Sequence, residues 1–99
     1  MANGAEVYEV GDEVGIGVQF GTPDEPVDPR QVEVRVQGPD GRSAHLAFGK
    51  DEAVQRVAPG AYQMVVTATV AGRWKYRFVG IRPNGAHEGY FDVFDLASG

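Results

Sequence analysis

The chain contains few side chains that could act as nucleophiles or as nitrogen or sulfur ligands of a metal ion. Its two histidines, His45 and His87, belong to no His-x-His or Glu-x-x-His spacing of the kind that binds a metal ion. Its two serines, Ser43 and Ser98, lie outside any Gly-x-Ser-x-Gly turn, and cysteine is absent. The sequence therefore predicts no catalytic residue, no metal site and no cofactor, and it predicts that the protein is not an enzyme.

Two acidic stretches are the remaining candidates for metal binding. Calcium requires about six to eight oxygen ligands that converge on one point, and acidic loops at the end of a β-sandwich can supply them. The spacing of the acidic residues in GTPDEPVDP and GKDE matches no EF-hand loop. Solvated turns stiffened by proline are the favoured interpretation, and calcium binding stays an open alternative for Asp24, Glu25, Asp28, Asp51 and Glu52.

One stretch, GRWKYRFVG at residues 72–80, alternates basic and aromatic side chains. Basic side chains beside exposed aromatic rings are typical of surfaces that bind single-stranded nucleic acid. In a β-strand, however, successive side chains point to opposite faces, so the two sets cannot contact the same ligand. We therefore predict an outward basic ladder of Arg73, Lys75 and Arg77. The aromatic residues of this stretch, with two from other strands, are predicted to form the core: Tyr62, Trp74, Tyr76, Phe78 and Phe91.

The basic ladder and the last strand supply the candidate partner-binding residues. The ladder either pairs with acids on neighbouring strands, such as Glu33, or meets an acidic partner surface. In EGYFDVFD, Phe91 and Val93 share one face, which leaves Tyr90 and Phe94 on the other. Aromatic side chains exposed on an edge strand favour an interface, whereas cover by the N-terminal strand or the C-terminal tail would make them structural. The candidates are Arg73, Lys75, Arg77, Tyr90 and Phe94.

These residues must be positioned by β-strands, because alternation of apolar and polar residues dominates the chain. Stretches such as EVGIGVQF and QVEVRVQ alternate strictly, and Gly, Pro, Asp and Asn clusters separate them. Seven to eight short strands predict an all-β, antiparallel Greek-key β-sandwich of the immunoglobulin-like type, with a small closed barrel as the structural alternative. AYQMVVTATV and RWKYRFV are predicted to form a hairpin through the Ala71-Gly72 turn.

The length and composition predict one domain. With 99 residues, 42% hydrophobic and 23% charged, the chain suits a single globular core. We predict a domain at residues 6–95, a flexible N-terminus at 1–5 and a flexible tail at 96–99. The net charge of −5 disfavours nucleic acid and anionic membranes as partners, although all nine basic residues fall within residues 29–82. The opening MANGAEVYEV has neither a basic segment nor an apolar run, so no signal peptide or membrane span is predicted.

The chain resembles small immunoglobulin-like virion proteins of tailed phages and prophages. The resemblance is carried by Gly60-x-Tyr62, by GRWKYRFVG at 72–80 and by EGYFDV at 88–93, and it extends from about position 7 to position 94. It implies an immunoglobulin-like sandwich that serves as a non-enzymatic structural or decoration protein in the virion. Such a protein is made in the host cytoplasm and docks on capsid or neck subunits through a sheet face or a strand edge, with self-association as a further option.

An immunoglobulin-like adhesion module that binds carbohydrate or a receptor is the alternative function. In such a fold the loops at residues 21–31 and 81–89 would lie at the same end of the sandwich, where recognition loops are found. Neither loop contains an aromatic residue that could stack on a sugar ring. The sequence therefore favours the virion protein over the adhesion module.

Overall fold

The structure, a computed structural model, describes residues 7–95 and contains eight β-strands and no helix in that range. The predicted flexible segments at 1–5 and 96–99 lie outside the described residues. The all-β class is confirmed. The strands are β1 (Val7–Glu9), β2 (Glu13–Gln19), β3 (Gln31–Gln37), β4 (Ser43–Ala47), β5 (Val54–Ala58), β6 (Ala61–Thr67), β7 (Gly72–Ile81) and β8 (Gly85–Phe94).

The strands form two sheets that pack into a β-sandwich. One sheet has five strands in the order β1-β8-β7-β3-β4, and the other has three strands in the order β2-β6-β5. Neighbouring strands are antiparallel except β1 and β8, which pair in parallel. The predicted sandwich is therefore confirmed. Of the two alternatives for the last strand, the structure combines both: β1 pairs with the end of β8 at residues 92–94, and the rest of β8 has no partner on that side among the described residues.

Alternation along each strand selects the side chains that fill the space between the sheets. Phe78, on the central strand β7, is completely buried. Trp74 stacks on Phe91 with a centroid separation of 5.8 Å, and its indole N–H donates a hydrogen bond to the carbonyl of Val70 at 3.0 Å. Tyr76 packs against this core and is only partly buried. The other aromatic residues predicted for the core are buried as well: Tyr62, Trp74 and Phe91.

The predicted hairpin between residues 61–70 and 73–79 is wrong. β6 and β7 belong to different sheets, and the chain crosses from one to the other between Thr67 and Gly72. Ala68 still belongs to the three-stranded side, since its N–H donates to the carbonyl of Asp12 at 2.9 Å. The turn was short enough for a hairpin, but the same alternation serves strands of either sheet. The pattern thus identified the buried face of each strand without identifying its partner.

Candidate functional site

The basic ladder lies on the outer face of the five-stranded sheet. The register of β7 places Arg77 between Arg35 of β3 and Glu88 of β8, and it places Lys75 between Gln37 and Tyr90. Because residues directly opposite one another share a face, side chains from three strands meet here. We call this surface the basic face: Arg35, Gln37, Arg73, Lys75, Arg77, Glu88, Tyr90 and Asp92.

Two of the ladder cations are paired with acids of β8. Arg73 donates from Nε and Nη2 to the two carboxylate oxygens of Asp92 at 2.8 and 3.1 Å. These bonds lower the pKa of Asp92. Arg77 Nη1 lies 3.0 Å from Glu88 Oε2. Both pairs are partly exposed, so they orient the guanidinium groups more than they stabilise the fold.

Glu33 does not pair with the ladder. It does lie on the strand next to β7, but its cross-strand neighbour there is Val79. Its carboxylate Oε1 instead lies 3.1 Å from His45 Nε2 on the other side, in β4. The acids that the ladder uses come from β8, whose register with β7 could not be derived from alternation alone.

Arg35 and Lys75 make no ion pair within residues 7–95. Arg35 lies opposite Arg77 and, on its other side, opposite His45. The two cations line a shallow groove of about 560 Å³, together with Tyr90 and parts of the paired residues. Arg35 is not among the candidates predicted from the sequence. The alternation of QVEVRVQ predicts that Arg35 points outward. That β3 lies next to β7, which brings Arg35 beside the ladder, follows only from the strand order of the sheet.

Tyr90 and Phe94 are both exposed, at 60% and 46% of their surface. The guanidinium carbon of Arg73 lies 4.0 Å from the centre of the Tyr90 ring, in a cation–π contact. Tyr90 therefore lies on the basic face in a fixed position beside the groove. Phe94 is at the end of β8, opposite Glu9 of β1, and does not line the groove. Of the five partner-binding candidates, the structure brings together four: Arg73, Lys75, Arg77 and Tyr90.

The acidic stretch at residues 21–29 has one carboxylate that is engaged within the protein. Asp28 accepts hydrogen bonds from Arg56 Nε and Nη2 at 3.0 and 2.9 Å, from the Gly60 N–H at 2.8 Å and from the Tyr62 hydroxyl at 2.9 Å. The Arg56 and Gly60 bonds hold the pKa of Asp28 well below its usual range. Burial, followed by the bond to Asp28, raises the pKa of Tyr62. Asp28 thus ties the β2–β3 loop to β5 and β6.

The two histidines lie on opposite faces of the five-stranded sheet. His45 points outward beside Glu33, while the ring of His87 contacts Phe20 edge-on at 5.6 Å. Within residues 7–95, no group of three His, Cys, Asp or Glu side chains is arranged to hold a metal ion. Ser43 pairs with Gln37 at the start of β4, and Ser98 lies outside the described residues. The described part of the chain has no helix with the length and apolar character to span a membrane.

The loops that connect β2 to β3 and β7 to β8 meet at one end of the sandwich. The N–H of Arg30 donates to the carbonyl of Arg82 at 3.0 Å, and Pro29 packs close to Gly80. This contact agrees with the expectation that the two loops share an end.

Comparison with known proteins gives no identification. No protein-family model matches the chain, and no curated protein matches it.

Proposed function

We propose that this protein is a non-enzymatic, immunoglobulin-like structural or decoration protein of a phage virion, and that it docks on a capsid or neck subunit through the basic face. The single observation that carries the docking surface is that Arg35 and Lys75, which have no ion pair within residues 7–95, line a groove beside exposed Tyr90. The assignment to a virion rests on the sequence resemblance described above.

The strand order supports the immunoglobulin-like assignment. In that fold the second, fifth and fourth strands form one sheet, and the third, sixth and seventh form the other. When β4 is counted as an additional strand beside β3, the two sheets of this protein have the same arrangement, with β2-β6-β5 facing β8-β7-β3. β1 extends the second sheet by pairing with β8.

Charge and composition support an acidic protein surface as the partner. Interfaces are enriched in Arg and Tyr relative to the rest of a protein surface. Arg35 and Lys75 have no internal counter-charge among the described residues, so an acidic group of a partner would be the first to neutralise them. Arg73 is held by Asp92 and stacked on Tyr90, which reduces the side-chain freedom that binding would otherwise remove. A pre-ordered cationic patch of this kind favours fast, salt-sensitive association.

The proposal is tested by cosedimentation with assembled empty shells and, separately, with isolated neck complexes of the phage or prophage that encodes the chain. The test variant is Arg35→Glu with Lys75→Glu. A matched control is Arg30→Glu with Lys50→Glu, which changes the net charge equally at exposed loop positions. We expect the wild type and the control to bind, the test variant to lose at least about tenfold in affinity, and binding to weaken as salt is raised.

Two results would overturn the proposal. If neither shells nor neck complexes retain the wild-type protein, the virion role is wrong. If both double variants weaken binding equally, net charge rather than the basic face controls association, and the docking surface is wrong. A glycan array that captures the wild-type protein would favour the adhesion module instead.

A further inference from the structure

In the described part of the sandwich, four strands stand at sheet edges, and β8 is also unpaired on its outer side over residues 85–91. Of the four edge strands, β2 is the least protected. β1 has three residues, and β4 and β5 have five each, whereas β2 has seven. β5 also carries Arg56 and a register shift next to it. Natural sheets block their edges with short strands, charged residues, proline or bulges. β2 has a single charge, at its first residue Glu13, and neither proline nor a bulge from there to Gln19.

The free backbone groups of β2 belong to its odd-numbered residues. At one end the carbonyl of Asp12 accepts a bond from Ala68, and at the other the N–H of Phe20 donates to Gly60. Backbone groups along a strand alternate in direction, so the even-numbered residues bond β6 and the odd-numbered ones point away from it. Two of the latter, Gly15 and Gly17, are exposed glycines, and a Cβ at Gly15 would meet no atom within 4 Å. Glycine at these two positions places no side chain next to the free backbone groups, so a second strand meets no side-chain obstacle there.

We infer that β2 pairs antiparallel with β2 of a second copy of this chain, about a two-fold axis at Ile16. This register places Gly15 opposite Gly17 of the second copy and Glu13 opposite Gln19. Each such pair joins odd-numbered residues, so their free N–H and C=O groups bond one another. No like charges face each other across the pair. The result is a continuous six-stranded sheet, β5-β6-β2 with its symmetry mate, that leaves both basic faces uncovered on the opposite sheets.

Molecular mass measured by analytical ultracentrifugation over a wide concentration range tests this pairing. The test variant is Gly15→Pro, which removes an outward N–H and leaves the β6 ladder intact; proline is tolerated at such edge positions. The matched control is Gly15→Ala, which retains the N–H. We expect a concentration-dependent dimer for the wild type and for Gly15→Ala. For Gly15→Pro we expect a dimer weakened by at least about tenfold, since two backbone bonds are lost per dimer.

The absence of cysteine allows the register to be tested directly. A chain with Gly15→Cys mixed with a chain with Gly17→Cys should form an intermolecular disulfide, because directly opposite residues lie within bridging distance. Either variant alone should form little disulfide, because the cysteines of its two copies lie diagonally across the strand pair rather than directly opposite. This second measurement decides the matter if Gly15→Pro fails to fold, which the fluorescence of Trp74 would reveal.

Salt separates this inference from the docking proposal. Each chain carries a net charge of −5, so screening should strengthen the dimer while it weakens docking through the basic face. A wild-type protein that stays monomeric up to about millimolar concentration at high salt would overturn the inference, whatever the docking experiment gives. A dimer that Gly15→Pro leaves unchanged, or a disulfide that forms equally well in each single variant, would also overturn it.

Discussion

Phe78→Ala should be among the most damaging single substitutions in this protein. The side chain is completely buried on the central strand β7 and contacts the ring of Tyr76 edge-on at 6.0 Å. Burial of a phenylalanine side chain contributes about 1.5–3 kcal/mol, and the cavity that remains raises the loss to about 3–5 kcal/mol. Small domains are stable by only about 5–15 kcal/mol, so the variant should be close to unfolding. In urea its midpoint should fall by roughly 2 M.

The assay is urea denaturation followed through the fluorescence of Trp74, the only tryptophan of the chain, which is buried on the same strand. Phe94→Ala is the matched control, because that ring is 46% exposed on the outer side of β8. Phe94→Ala should lower the free energy of unfolding by less than about 1 kcal/mol. Should Phe78→Ala not fold, Phe78→Leu, with an expected loss of about 1–2 kcal/mol, gives the comparison. Equal losses for Phe78 and Phe94 would refute the assignment of aromatic side chains to opposite faces.

Two further predictions concern loop residues. Asp28 has a lowered pKa in the folded state because of its bonds to Arg56 and Gly60. Its contribution to stability is thus present above the unfolded pKa of about 3.9 and is lost as pH falls. The urea midpoint of the wild type should fall between about pH 5 and pH 2, and Asp28→Asn should flatten this dependence; parallel profiles would contradict the role of Asp28. Gly60 has a φ of +71°, and a Cβ there would lie 2.6 Å from the carbonyl oxygen of Phe20, so Gly60→Ala should cost at least about 1–2 kcal/mol in urea unfolding. Gly15→Ala, at an open position with ordinary φ, should cost nothing or stabilise by about 0.4–1 kcal/mol, and similar losses for both glycines would contradict this reasoning.

Much of the fold could be predicted from period-2 alternation. Alternation identifies which side chains of a strand point to the core, and for this reason the sequence alone separates Trp74 and Phe78 from Arg73 and Lys75. It also locates most strands, because turn residues separate the alternating stretches. The same reasoning places Tyr90 and Phe94 on the face of β8 opposite Phe91 and Val93, but that both side chains are exposed follows only from the structure.

Strand neighbours could not be predicted in the same way. Alternation is identical in the two sheets, so the short link after β6 predicts a hairpin, whereas the structure has a crossover there. The pairing of β3 with β7, which brings Arg35 beside Arg77, depends on contacts between residues 42 positions apart in the sequence. The pairing of Glu88 and Asp92 with the ladder likewise depends on the register between β7 and β8. Which residues make up the basic face is therefore decided by the order of the strands in the sheet, and local sequence patterns do not predict that order.

The parallel pairing of β1 with β8 determines how the domain carries mechanical load. Val7 lies beside Asp92 and Glu9 beside Phe94, so the first and last strands of the described chain run side by side in one direction. A force applied through the two ends therefore pulls these strands along their lengths in opposite senses. The hydrogen bonds between them are then strained in shear and must break together, whereas an antiparallel pair pulled from one end would open bond by bond. A domain anchored at both ends would resist extension before its core is exposed.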